Sequence, residues 1–590
     1  MQSAVSAATA SHHGLATMRD LLRLALLFSP TLALLAGGGW YVATHLGGEL
    51  PPDAVRPGGR LVVVVVFDQM RGDYLRRWPG LLGEDGFDQV KRDGVWYSNA
   101  RLPHACTSTG PGHASIGTGA PPAVHGVVEN KWYDRRTGQE VYCTSDAAAR
   151  RVPGAKEPAK EPASLSPARL LVPGVAAHLK AVEKDARVFS LSLKDRAAVL
   201  MAGRCNDAGV YCFDSAVGKF HTSSHYRADL PDWVVAFNKS RDGSPADAWF
   251  HRRWDRLLHS EKYVGRDDFE AEGRGVNGMG QTFPHPLKGK LENPARGFYD
   301  AVETSPFGNE LLWDFARACL AAEQLGRRGT KDLLYLSFSS NDLVGHAWGP
   351  DSHEVQDITA RSDRLLAEMI RHLDDTVGRA NYTLVLTADH GVCPLPELTA
   401  ATVPGVERFE PAAELADLGR ALDDTFGPLG DKPESWVKKL TYPDLYLNDS
   451  LLEAEGKSRA AVERYAAEWI GNRPHMLAAF PRPVLAGPPL ADPLARRVQL
   501  GWHPDRSGDV VVVHKPYLLP GKNTGGYSVA GHGTPHDYDT HVPLLAFGAG
   551  VPKLGERPEP TSSLAVAAIV CRALGIGPPA EAKEPLPAGW

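Results

Sequence analysis

The run Leu61-Val62-Val63-Val64-Val65-Val66-Phe67 is apolar at every position and ends in Asp68. A strand whose alternate side chains are all apolar must be covered on both faces, as in the interior of a parallel sheet. The run recurs as Leu333-Leu334-Tyr335-Leu336-Ser337-Phe338 and as Tyr382-Thr383-Leu384-Val385-Leu386. Val188 to Leu193 alternates more, and Val510-Val511-Val512-Val513 is a fifth run of the same kind. Helical patterns lie between them, around 308–325, 355–376 and 459–470. Strands alternating with helices imply an α/β protein with a mainly parallel central sheet sandwiched by helices.

Two long stretches break this rhythm and read as insertions able to cap the carboxyl edge of the sheet. Residues 207–300 are rich in aromatic residues and His, and residues 395–505 are rich in Pro. Residues 61–576 therefore read as one elaborated catalytic domain. Residues 48–60 read as a Pro/Gly linker, and 154–166 and 577–590 as flexible. At the N-terminus, Arg19 and Arg23 precede an uncharged apolar run from Leu24 to Ala43. This is the pattern of an exported chain, whether residues 1–47 are a cleaved signal or a retained membrane anchor. The predicted location is periplasmic, or anchored and facing outward. A net charge of −6 leaves no basic footprint for nucleic acid, so no nucleic acid partner is expected. The seven cysteines contain no C-x-x-C pair; Cys205 and Cys212 are close enough to close a small disulfide loop.

The chemistry-bearing residues gather where strands end. Asp68 directly follows the first run, where open α/β sheets place ligands, although a helix N-cap would use the same residue. The run at 333–338 leads into Asp342 and His346, which share one face if that segment is helical. The next run ends in Asp389-His390, and His532 stands between two glycines near the C-terminus. Each is ordinary alone. Together they make three Asp and three His, an oxygen and nitrogen donor set without sulfur that suits a catalytic zinc pair. Thr109 lies two residues before Pro111, which favours a helix start. A hydroxyl there faces free N–H groups and the positive end of the helix dipole, a setting for an alkoxide or a phosphoryl oxygen.

With these residues in view, the sequence resembles the phosphate-irrepressible alkaline phosphatases. These belong to the alkaline phosphatase superfamily and are related to the nucleotide pyrophosphatase/phosphodiesterases. The resemblance runs through Asp68-Gln69-Met70-Arg71, Thr109-Gly110-Pro111-Gly112-His113-Ala114-Ser115, Asn130, Lys194-Asp195-Arg196, Asp342 with His346, Asp389-His390 and His532. It implies an alkaline phosphatase-like fold and two Zn2+ ions per chain. Asp342, His346 and His532 would hold the first ion. Asp68, Asp389 and His390 would hold the second, which also contacts Thr109. Thr109 would be the nucleophile, passing through a phosphothreonine. Asn130, Lys194 and Arg196 would bind the non-bridging phosphoryl oxygens.

The implied substrates are small phosphate monoesters, with inorganic phosphate as product. Lys194 and Arg196 match the extra charge of a monoester, and the phosphodiesterase relatives lack them. A phosphodiesterase or nucleotide pyrophosphatase is the alternative within the superfamily. A non-catalytic binding protein on this fold would be expected to have lost a ligand or the nucleophile. A sulfatase would need C-x-P-x-R, and Cys106 is followed by Thr107-Ser108. The third, magnesium site of the classical alkaline phosphatases has no visible equivalent; Lys194 and Arg196 stand in its place. His104, His113 and His125 read as structural hydrogen-bonding residues.

Overall fold

The computed structural model describes residues 59–153, 165–239, 243–523 and 528–590. The N-terminal apolar run, most of the linker and most of 154–166 lie outside them. No helix among the described residues is long and apolar enough to cross a membrane.

Strands β1 (Leu61–Phe67), β2 (Arg187–Ser192), β3 (Asp332–Phe338) and β4 (Tyr382–Thr387) belong to one ten-stranded sheet; β5 (Val510–His514) does not. Helices α1 (Thr109–Thr118), α2 (Asp195–Ala202), α3 (Pro306–Ala322), α4 (Ser340–Trp348), α5 (His353–Thr376), α6 (Arg459–Gly471) and α7 (Ala565–Leu574) complete the frame. β1 pairs in parallel with β3 on one side and β4 on the other, and β3 pairs in parallel with β2. Leu544–Gly548 beside β4 is antiparallel to it, so the sheet is parallel at its centre and mixed toward its margins.

The continuous apolar run of β1 follows from this position. Leu61, Val63, Val65 and Phe67 face a core built with α3 and α5. Val62, Val64 and Val66 face a second core built with α1, α2 and α7. Burying one such side chain contributes about 1.5–3 kcal/mol relative to leaving it exposed.

Four readings change. First, the run at Val510–Val513 is not in the central sheet. It lies in a separate four-stranded sheet, paired antiparallel with Asp444–Leu447 and Met476–Pro481. Its faces are covered by two local clusters, one containing Val462 and Ile470 of α6, the other Trp502 and Leu485. The second insertion therefore extends beyond residue 505. Second, the stretch from 207 begins with Gly209–Asp214 and Lys219–Ser223, both strands of the central sheet. Third, Cys205 and Cys212 do not pair, and all seven cysteines are free. Cys212 Sγ lies 3.2 Å from His221 Nε2 on the adjacent strand, while Cys205 Sγ reaches Asp207. Fourth, the segment from 577 packs on the molecule: Ala582 is buried, and Leu586 and Trp590 lie against the core beneath α7.

Candidate active site

The register places the ends of the parallel strands side by side. Phe67 of β1 pairs with Phe338 of β3, Val66 with Thr387 of β4, and Ser337 of β3 with Ser192 of β2. Residues just beyond these pairs share one edge, and they include Asp68, Lys194, Asp342, Asp389 and His390. The expected helical turn after β3 is α4, so Asp342 and His346 do share a face.

Two groups of donor atoms converge there. In the first, His346 Nε2 is 3.2 Å and His532 Nε2 3.7 Å from Asp342 Oδ1, and the two ring nitrogens are 3.2 Å apart. In the second, His390 Nε2 is 3.6 Å from Asp68 Oδ1 and 3.3 Å from Asp389 Oδ2. His390 Nε2, Asp68 Oδ1 and Asp389 Oδ2 are all buried without a hydrogen-bond partner. Unpartnered buried polar atoms are costly unless something else satisfies them. Three groups could hold a metal ion: Asp342-His346-His532, which is the first predicted set, and Asp68-Asp342-His390 and Asp68-His113-Asp389, between which the second predicted set is divided with His113 drawn in.

The imidazoles are oriented from behind. Nδ1 of His346, His390 and His532 lies 2.8, 2.9 and 2.7 Å from the carbonyls of Ala530, Gly391 and Thr107. A carbonyl only accepts, so each Nδ1 carries a proton and each Nε2 is turned toward the centre. Charge in the site is unbalanced in the same direction. Burial, with Asp389 and Asp342 nearby, pushes the Asp68 carboxyl well above its usual range. Burial would also raise Asp342, but His346 and Lys194 hold it well below that range. Burial again opposes the charge on Asp389, and His390 and His113 overcome it. Three clustered carboxylates and three imidazoles form an oxygen and nitrogen donor set that fits divalent cations.

Thr109 opens α1; Ser108 is the cap residue, so Thr109 is the first helical residue and not the N-cap. The first turn of α1 abuts the β4 edge closely. A Cβ at Gly112 would stand 2.3 Å from the Asp389 carbonyl oxygen, so only glycine permits this approach. Asn130 Oδ1 accepts from Gly110 N–H at 2.7 Å, which leaves its amide NH2 as the end able to donate. Glu129 accepts from Ser108 Oγ at 2.9 Å and from Asn130 N–H at 2.7 Å, bracing both residues.

Lys194 Nζ bridges Asp68 Oδ2 at 2.6 Å and Asp342 Oδ2 at 2.5 Å. Two of its three ammonium donors are engaged there and one remains. Arg196 lies beyond the cap of α2, with Nη1 3.4 Å from the Tyr142 hydroxyl, which itself donates to Asp195 Oδ1 at 2.6 Å. Its Nε is buried without a partner.

His113 is the hydrogen-bonding residue expected, and it also borders the carboxylate group: its Nδ1 lies 2.8 Å from the Thr109 carbonyl and 3.1 Å from Asp389 Oδ2. One turn from Thr109 on the same helix, it could have been placed by spacing alone. Tyr142 and Glu129 reach the site only through the fold. By contrast His104 and His125 remain structural, both 3.1 Å from Ser115 Oγ. The first of the two long stretches packs near residues that adjoin the site. Phe269 and Ala271 of the first pack with Val392, Leu395, Val529 and Ala530, which adjoin His390 and His532 in sequence.

Comparison with known proteins agrees with this fold. The family described as type I phosphodiesterase / nucleotide pyrophosphatase matches residues 62–539. Alkaline phosphatase PhoV of Synechococcus elongatus is 32% identical over 508 residues, 85% of this chain and 87% of that protein. Alkaline phosphatase PafA of Elizabethkingia meningoseptica is 32% identical over 542 residues, 91% of this chain and 95% of that protein. The crystal structure of wild-type PafA superposes with a TM-score of 0.80 at 31% identity, covering 90% of this chain and 98% of that one.

Proposed function

The chain belongs to the type I phosphodiesterase / nucleotide pyrophosphatase family of the alkaline phosphatase superfamily, and on that premise we propose that it is a two-zinc phosphomonoesterase with Thr109 as nucleophile. It is an alkaline phosphatase in the company of its full-length relatives. The observation that carries the metal reading is the convergence of Asp and His donor atoms in groups that could hold an ion, with Asp68 Oδ1, Asp389 Oδ2 and His390 Nε2 buried and without a hydrogen-bond partner. Asp342, His346 and His532 would hold one ion; Asp68, Asp389 and His390 would hold the other beside Thr109. Divalent zinc held there supplies Lewis-acid charge that favours an ionised hydroxyl and a departing oxygen.

The residues of the chain divide the remaining work. The Thr109 oxygen attacks phosphorus in line; its bond to phosphorus forms as the ester P–O bond breaks, leaving the phosphoryl group on Thr109 and releasing the alcohol. Water then displaces the Thr109 oxygen and inorganic phosphate leaves. His113 and Asn130 hold the first turn of α1 in place. The free amide of Asn130, the third ammonium donor of Lys194 and the guanidinium of Arg196 would bind the non-bridging oxygens, whose charge stays high during transfer. We also read the chain as exported, supported by the basic flank and the apolar run before residue 44. Its recovery from the soluble cytoplasm would contradict that reading.

The test of the reaction is acid quenching during turnover of a labelled monoester. Label is expected on a peptide containing Thr109, with about two zinc ions per chain by elemental analysis. The variant Thr109→Ala should lose the label and on the order of 10³-fold or more in rate. Label on another residue, or full activity with one ion or none, would refute the assignment.

A further inference from the structure

Gln69 is in a backbone conformation that non-glycine residues seldom adopt, with φ at +67°. It directly follows Asp68 and is buried, 3% exposed. Such strain persists where surrounding contacts over-determine it, and it clusters at functional sites. Both polar ends of the residue are spent on the metal-binding carboxylates. Its backbone N–H donates to Asp389 Oδ1 at 3.1 Å, and its side-chain Nε2 donates to Asp342 Oδ1 at 2.6 Å. One residue thus ties the loop after β1 to the first turn of α4 and to the loop after β4. The side chain can lie there only because Gly345 of α4 has none. A Cβ at Gly345 would stand 1.9 Å from Gln69 Oε1, and no atom outside the Gln69 side chain is among its three nearest neighbours.

We propose that Gln69 is a positioning residue for the metal pair, and that Gly345 is small to admit it. The proposal rests on the two-metal reading above. The side chain orients Asp342, a ligand of the group with His346 and His532, while the backbone N–H orients Asp389 of the other group. The two contacts separate under mutation. Gln69→Gly removes the amide but keeps the N–H, and glycine relieves the positive φ. It should therefore fold at least as well as the wild type and weaken the Asp342 group selectively. Loss of an outer hydrogen bond to a metal ligand costs about 10–100-fold in metal affinity.

The experiment is chelator titration of purified full-length protein, with zinc counted by elemental analysis and thermal midpoints measured in parallel. Wild type is expected to keep two ions at a chelator concentration where Gln69→Gly keeps one. Gly345→Ala should show the same single loss in the wild-type background, because the new Cβ displaces the amide. In the Gln69→Gly background the same substitution should have no further effect, since the group it strikes is gone. Retention of both ions by Gln69→Gly, equal loss of both, or additive losses in the double variant would overturn the proposal. A wild type that holds no metal would overturn the functional reading and this inference together. Two ions in the wild type with an unaltered Gln69→Gly would overturn the inference alone.

Discussion

Two valine runs in this molecule are buried alike and serve different ends. β1 lies between parallel neighbours at the middle of the ten-stranded sheet, and its last residue is followed by Asp68. β5 lies between antiparallel neighbours in the four-stranded sheet of the second insertion. Its end supplies no ligand. Instead the His514 carbonyl accepts from His536 Nε2 at 2.8 Å, close in sequence to His532. One strand therefore delivers a site residue directly, while the other braces a loop that carries one. In a parallel sheet all carboxyl ends meet at one edge, so functional groups from distant segments gather there. An antiparallel sheet alternates its ends and gathers nothing comparable.

The sharpest way to break this contrast is at the β2 end of the parallel edge. The double variant Lys194→Ala/Arg196→Ala should depress monoester hydrolysis far more than diester hydrolysis when the leaving group is the same. A lost charge-assisted hydrogen bond costs on the order of 2–3 kcal/mol, roughly 30- to 150-fold in rate, and the two losses need not add. If both rates fall by one factor, these cations hold the fold together and do not select the substrate.

A smaller effect compares the runs themselves. Val64→Ala and Val512→Ala each remove two buried carbons, about 2 kcal/mol with the cavity included. Val64→Ala should lower the global unfolding midpoint. Val512→Ala should instead lower hydrogen-exchange protection mainly around the second sheet and α6, because that sheet has clusters of its own. Identical, global losses of protection in both variants would show that the insertion has no independent cooperativity.

The smallest effect concerns the first insertion. Burial, with Glu354 and Asp267, Asp268 and Asp351 near it, pushes the Glu272 carboxyl up from 4.5 to about 9. A carboxyl raised on folding binds its proton more tightly in the native state. Its stabilisation is full below about pH 4.5 and is lost as pH rises toward 9. Glu272→Gln should flatten that decline, raising the midpoint at pH 9 by about 2–4 °C relative to wild type. An unchanged pH profile would place Glu272 in ordinary solvent contact.

The same two runs show what could be read without the fold. A run apolar at every position reports cover on both faces, and both valine runs have it. It does not report strand direction, which depends on connections, so Val510–Val513 looked like another strand of the parallel sheet. That Asp68, Asp342, His346, Asp389, His390 and His532 would come close together was legible, because their chemical types coincide with positions mostly at strand ends. Gln69 was not, since an uncharged amide carries no such signal and its meaning lies in one backbone angle and two distances. Tyr142 and Glu129 likewise act through partners far away in the chain or in roles no spacing encodes. The tail after 577 looked free because Pro and Gly interrupt it, yet Ala582, Leu586 and Trp590 find apolar cover.

The account stands most directly on the choice between one ester bond and two. Wild-type protein should be assayed on an aryl phosphate monoester and its methyl diester under identical conditions. If Lys194 and Arg196 bind the phosphoryl group as proposed, kcat/KM should favour the monoester by at least the roughly 30-fold attached to one such contact. A diester hydrolysed as fast as the monoester, or faster, would contradict the assignment and place this chain with the phosphodiesterases.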